Sequence, residues 1–189
     1  YASIANGGTF YKPYIVKRIE TFEGTVIDEF QPKIIDQTRL KDKTKSLVKR
    51  GLWGVVNNPN GTAYRQHTPA LEFSGKTGTS QVIQISKEKI YQKCQNLPYE
   101  DRHHGFFAGF APSDNPVIAV AVIAEHSCSG SGGAAPIARA VIESYIRKYY
   151  PTLWKEDPKI RTKKEAVKPS EDEVTEDSNV VLPENPPPL

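Results

Sequence analysis

The chain has 189 residues, 38% of them hydrophobic and 25% charged, which is enough material for one globular domain with a real core. Its formal net charge is only +3 and the basic residues are scattered, so nucleic acid is not indicated as a partner. The first residue is Tyr1 and methionine is absent, so the sequence reads as a piece of a longer protein, and a missing leader or membrane anchor says nothing about location.

Tyr1 to Asn6 reads as the last turn of a helix, stopped by Gly7-Gly8. Thr9 to Glu20 and Thr25 to Phe30 are rich in Tyr, Ile and Val and read as a strand hairpin turning at Phe22-Glu23-Gly24. From Thr38 to Asn57 the set Leu40, Leu47, Val48, Leu52, Val55 and Val56 recurs at helical spacing, and Asn57-Asn58-Pro59-Asn60-Gly61 ends it. Trp53 on such a helix is expected in the core. Asn60-Gly61-Thr62 matches a glycosylation sequon, but a turn accounts for it.

The next stretch, Ser74-Gly75-Lys76-Thr77-Gly78-Thr79-Ser80, sets small residues around a lone lysine between two strand-like runs, Ala70 to Phe73 and Gln81 to Ile85. Glycines let a ligand approach the backbone, while the ammonium and hydroxyls offer donors to a carboxylate. A phosphate loop is excluded twice. Its first glycine would fall at Ala70, and strand rather than helix follows Thr77.

Ser86 to His104 is a polar, charged insertion. Gly105 to Ala111 and Val117 to Glu125 are the clearest strands, joined by the turn Pro112-Ser113-Asp114-Asn115-Pro116. The unbroken apolar run Val117 to Ala124 implies an interior strand with helices on both faces of the sheet. A glycine-rich loop, His126 to Gly133, leads into an amphipathic helix from Ala134 to Tyr149, with Ala138, Val141, Ile142, Tyr145 and Tyr149 in one stripe. Residues 1–150 are therefore expected to be folded. Residues 151–189, charged and ending in Pro186-Pro187-Pro188, are expected to be a disordered tail.

Read together, Tyr1 to Gly8, Gly75-Lys76-Thr77-Gly78-Thr79-Ser80-Gln81-Val82, Gly109-Phe110-Ala111-Pro112 with Asn115-Pro116, and Ala134-Ala135-Pro136-Ile137-Ala138 resemble the C-terminal part of the class B penicillin-binding proteins, in order and spacing. Within that family the similarity is greatest to the elongation-type transpeptidases. The resemblance implies an α+β fold, an antiparallel sheet with helices on both faces, N-terminally truncated here. It implies a serine acyl-transferase that cross-links peptidoglycan stem peptides ending in D-Ala-D-Ala and is acylated by β-lactams. It further implies the periplasmic face of the inner membrane, elongation-complex partners reached through the missing N-terminal part, and no cofactor. A β-lactamase or carboxypeptidase, or a non-catalytic peptide-binding module, are the alternatives.

The family signature runs Ser-x-x-Lys, then Ser-x-Asn, then Lys-Thr-Gly. By resemblance Lys76 supplies positive charge and relays a proton, Thr77 and Thr79 hold the substrate carboxylate, Gly78 keeps the strand surface open, and the Thr79 amide is one oxyanion donor. Ser46-Leu47-Val48-Lys49 and Ser86-Lys87-Glu88-Lys89 formally match the first element and Ser113-Asp114-Asn115 imitates the second. All three stand at the wrong place in the order. The nucleophilic serine and its lysine are therefore expected upstream of Tyr1. His104 matches a histidine often found there in the family, with a structural role at least as well supported, whereas His67 and His103 carry no motif.

Cys94 and Cys128, the only cysteines, fall at one end of the expected sheet. Free thiols are the leading expectation. A disulfide, and a zinc site of Cys94, His103 or His104, His126 and Cys128, stay open.

Overall fold

The computed structural model of the protein describes residues 1–83 and 92–155. The first helix, α1 (Ala2–Ala5), ends at Gly7 and Gly8, whose φ values of +87° and +121° lie where side-chain-bearing residues are disfavoured. Asn6 seals that end, its carboxamide oxygen accepting from the N–H groups of Gly8 and Thr9.

Strands β1 (Thr9–Tyr11), β2 (Arg18–Glu20), β3 (Val26–Glu29) and β4 (Ile34–Gln37) form two antiparallel pairs, β1 with β4 and β2 with β3. The β2–β3 hairpin is the expected one. The single strand expected from Thr9 to Glu20 is divided, because Pro13 removes a ladder donor between β1 and β2. The sequence carries no signal for β4, whose four residues follow Pro32 and are too few to show alternation.

Helix α2 (Asp42–Asn57) begins at Asp42 rather than Thr38. It buries Leu52 and Val56, but Leu40, Leu47 and Val48 from the expected stripe are exposed. Trp53 is half-buried rather than core, its Nε1–H donating to Glu72 Oε2 at 2.9 Å. At the helix end Asn57 is buried and donates from Nδ2 to the carbonyls of Trp53 and Phe73 at 3.0 and 2.9 Å. The bond to Phe73 staples α2 to the chain entering the main sheet.

That sheet has the order β5-β6-β7, with β5 (Ser74–Ser80), β6 (His104–Ala111) and β7 (Ile118–Ala124) all antiparallel. The small-residue motif is itself the strand, while Ala70 to Phe73 is irregular. Pairing drives this: all seven motif residues oppose a β6 residue, from Ser74↔Phe110 to Ser80↔His104, and tertiary pairing outweighs their poor strand propensity. Gln84 and Ile85 lie outside the described residues.

Cross-strand partners share a face. One face carries Ser74, Lys76 and Gly78 with Phe106, Ala108, Phe110, Ala119, Ala121 and Ile123. The other carries Gly75, Thr77 and Thr79 with Phe107 and Ala111. Helix α3 (Ala135–Tyr149) covers the second face through Ala135, Ala138, Ile142 and Ile146. On the first face Phe110 packs with Ala5 and Leu52. Helices thus meet both faces, as expected, but the first is covered at one end only. Val117 to Ala124 is not interior among the described residues: β7 stands at the edge of their three-stranded sheet, and Ile123 is 61% exposed. In α3, Ile146 takes the buried position that the stripe assigned to Val141, which is exposed.

The first residues past 150 remain part of the fold. Pro151–Leu153 form a 3₁₀ turn, Trp154 packs against the core with Arg147 4.3 Å above its ring, and Lys155 N–H donates to Ala70 O. The rest of the expected tail, 156–189, lies outside the described residues.

Candidate active site

β5 is an edge strand, so one side of its backbone has no strand neighbour among the described residues. Lys76 is exposed on it, its ammonium donating to Thr77 O at 2.9 Å and lying 3.5 Å from Thr77 Oγ1. Thr77 Oγ1 is also 3.0 Å from Thr62 Oγ1, so two hydroxyls and one ammonium form a chain of donors. Thr62 reaches this point because the turn after α2 is fixed to the helix end, Ala63 N–H donating to Val55 O at 2.9 Å while Ala63 is buried. Gly78 is half-buried and Thr79 exposed.

Two cavities flank Lys76. One, of about 320 Å³, is lined by Tyr1, Lys76, Gly78, Phe106, Ala121 and Ile123 among others. The second, of about 430 Å³, is lined by Gly51, Gly54, Asn58, Asn60, Thr62 and Lys76. Burial raises the Tyr1 phenol above its ordinary value, so it stands neutral beside the lysine. An ammonium, hydroxyls and an open strand edge together suit an extended peptide ending in a carboxylate.

The formal matches to the missing signature elements converge elsewhere. Ser46, Lys49, Trp53, Ser74, Ser113 and Asp114 line a third cavity of about 350 Å³, and Lys76 is not among its lining residues. Lys49 Nζ is engaged by Ala5 O at 3.0 Å, and Ser113 Oγ accepts from the buried Ser74 Oγ at 2.8 Å. The lysine of the Ser46-Leu47-Val48-Lys49 match thus donates to a main-chain carbonyl of α1. Ser86 to Lys89 lies outside the described residues. Sequence reasoning brought out Lys76 to Thr79 but missed Thr62, Tyr1 and Phe106; for Thr62 the fixed turn Asn60-Gly61-Thr62 was the only available signal.

Residues 1–143 match the family described as the penicillin binding protein transpeptidase domain. The chain belongs to that family. It is 33% identical over 171 residues to the peptidoglycan D,D-transpeptidase MrdA of Haemophilus influenzae, covering 89% of this chain and 26% of the relative. To MrdA of Escherichia coli K12 it is 34% identical over 101 residues, covering 53% of this chain and 15% of that protein. Among solved structures, penicillin-binding protein 2B of Streptococcus pneumoniae R6 superposes with a TM-score of 0.60 at 29% identity, over 79% of this chain and 24% of that one. Pseudomonas aeruginosa PBP2 in complex with WCK 5153 gives 0.54 at 31% identity, over 77% and 27%. The chain thus spans about a quarter of the length of these relatives or less.

In this transpeptidase domain the end of the sheet next to Ser80 is closed by a covalent link. Cys94 and Cys128 form a disulfide with Cα atoms 5.6 Å apart, so the expected free thiols are overturned. The zinc reading falls with them. Both sulfurs are used, His104 Nδ1 accepts from the His126 N–H at 2.9 Å, and His126 Nδ1 faces Arg102 O at 3.2 Å. A carbonyl can only accept, so in this contact His126 carries its proton on Nδ1, and each ring has one nitrogen engaged by main chain. No group of three or more metal-ligating side chains occurs among the described residues. His67 is held by Asn57 Oδ1 and stacks on Tyr64.

Proposed function

We propose that this chain is the motif-bearing part of a peptidoglycan D,D-transpeptidase of the elongation type, acting through a serine acyl-enzyme. The observation that carries the reading is the edge strand β5, which presents Lys76, Thr77 and Thr79 along an open edge in a chain of the transpeptidase family. A serine outside these 189 residues attacks the D-Ala-D-Ala carbonyl. Its Oγ–C bond forms, the amide C–N bond breaks, and the departing D-alanine takes the proton. Lys76 supplies positive charge and a proton path. Thr77 and Thr79 donate to the terminal carboxylate, and Gly78 leaves room for the peptide along the strand.

The developing oxyanion needs preorganised donors, which we assign to the amides of Thr79 and of the attacking serine. A second stem's amine then resolves the acyl-enzyme. β-Lactams acylate the same serine, with opening of the ring and retention of the leaving nitrogen. We assign the domain to the periplasmic face of the inner membrane, with elongation partners reached through other parts of the protein. The Cys94–Cys128 disulfide supports an oxidising compartment. No helix among the described residues is long and apolar enough to cross a membrane.

Fluorescent penicillin labelling tests this. The whole protein is expected to take covalent label and the 189-residue chain alone none. Label on Ser46 or Ser86 would refute the assignment of the nucleophile.

A further inference from the structure

The glycine-rich turn Gly130–Ala134 lies against the motif strand at its tightest point. A Cβ added at Gly130 would overlap the carbonyl oxygens of Gly78 and Phe106 and come within 2.9 Å of Gly78 N. Main chain therefore rests directly on main chain, a contact only glycine permits. The carbonyl of Gly78 and the N–H of Thr79 belong to one planar peptide unit. Whatever fixes Gly78 O also fixes the direction of the Thr79 N–H.

The turn is itself held in place from its leading side. Two residues before Gly130, Cys128 is joined to Cys94, and its N–H donates to His103 O at 2.8 Å. Both Cys128 and His126 have positive φ, +67° and +53°, conformations that persist only where surrounding contacts impose them. Within the turn, Ser129 Oγ accepts from Gly132 N–H at 3.3 Å and Ser129 O from Gly133 N–H at 2.8 Å. The His126 N–H bond to His104 ties the loop to the residue paired with Ser80. A covalent tether thus ends two residues from a backbone contact on the motif strand.

We infer that Gly130 is a positioning residue for the Gly78–Thr79 peptide and that the Cys94–Cys128 disulfide holds it there. The inference rests on the reading of the Thr79 amide as an oxyanion donor. Misdirecting that N–H weakens stabilisation of the tetrahedral intermediate more than it weakens binding of the β-lactam, because the charge exists only after attack. The acylation rate constant therefore depends on the buttress, and the preceding binding constant does not.

The test is single-turnover acylation of the whole protein by a fluorescent penicillin, with rate and binding constants separated by varying its concentration. Gly130→Ala is expected to lower the acylation rate constant by roughly tenfold or more, with the binding constant within about threefold. Gly132→Ala is the control, since its Cβ would meet only Ser129 Oγ at 3.8 Å, and it should react at the wild-type rate. Cys94→Ser/Cys128→Ser is expected to lower the same rate constant by roughly threefold or more at a temperature where it is fully folded. A folded Gly130→Ala protein acylated at the wild-type rate would overturn the inference. Should that variant show no thermal unfolding transition, the double cysteine variant decides: a lowered rate constant supports the buttress, and loss of melting temperature with an unchanged one overturns it. A wild-type protein that takes no label would sink the transpeptidase reading, and this inference with it.

Discussion

At the scale of residues, the site turns on a short row of donors whose chemistry the sequence exposed and whose connections it concealed. On the role proposed for Lys76, Lys76→Ala in the whole protein removes a charged donor to the transition state, and is expected to raise the acylation barrier on the order of 3 kcal/mol, about a hundredfold in rate. Its melting temperature should change little, because Lys76 is exposed and its one close bond is to the neighbouring Thr77 carbonyl. An unchanged acylation rate would make the motif structural. Thr62 lies fifteen residues from Thr77, and its hydroxyl bond at 3.0 Å is a consequence of how the turn folds back on α2. Thr62→Val keeps the shape and removes that bond, so the Thr77 rotamer is less fixed; a neutral hydrogen bond is worth about 1 kcal/mol, or roughly fivefold in rate. Thr62→Ser should restore most of it. Equal acylation rates in wild type, Thr62→Val and Thr62→Ser would show that Thr77 needs no such partner.

Among the elements, those with strong periodicity were legible and those made by pairing were not. Helices α2 and α3 and strands β6 and β7 follow from apolar spacing and from Pro112 to Pro116 between the strands. The lysine of β5 is expected on or beside a strand between two strand-like runs; the motif residues themselves form that strand, because Ser, Gly and Thr carry little strand preference but their seven partners in β6 supply the pairing. Leu47 and Val48 show the converse: helical spacing located a stripe, but not how much of it the sheet would cover. The pairing of Cys94 and Cys128 also needed three dimensions, since spacing brings them to one sheet end without giving a distance. Joining residues 34 apart, this bridge is expected to contribute about 3 to 4 kcal/mol by restricting the unfolded chain. Chemical denaturation of the whole protein with and without Cys94→Ser/Cys128→Ser measures it. A loss below about 1 kcal/mol would mean that the bridge contributes much less than restriction of the unfolded chain predicts.

For the molecule as a whole, the sheet face that bears Lys76 is only half covered. Phe110 is fully buried against Ala5 and Leu52, yet four residues along the strands on the same face Ile123 stands 61% exposed beside Ala121, Phe106 and Lys76. An apolar strand that has no further strand neighbour among the described residues, and an uncovered face beside Lys76, are costly to leave in water. The Haemophilus influenzae relative is about four times as long as the part of it that this chain matches. The expectation is that in the whole protein this face packs against a segment outside the 189 residues. That arrangement would bring the nucleophile to Lys76 from the open side and leave the β5 edge for the substrate. Ile123→Asp distinguishes the two states of the face. If it is covered, an unpaired carboxylate is forced into an apolar contact, and the whole protein should lose roughly 3 kcal/mol or more and label poorly with penicillin. If the face remains open, the substitution lies at the surface and should change stability by no more than about 0.5 kcal/mol. Denaturant unfolding of the whole protein with Ile123→Asp beside Glu125→Gln, a nearby exchange that introduces no new charge, separates these outcomes. A change within about 0.5 kcal/mol would show that the face beside Lys76 is solvent-exposed in the whole protein, and that its nucleophile must arrive by another route.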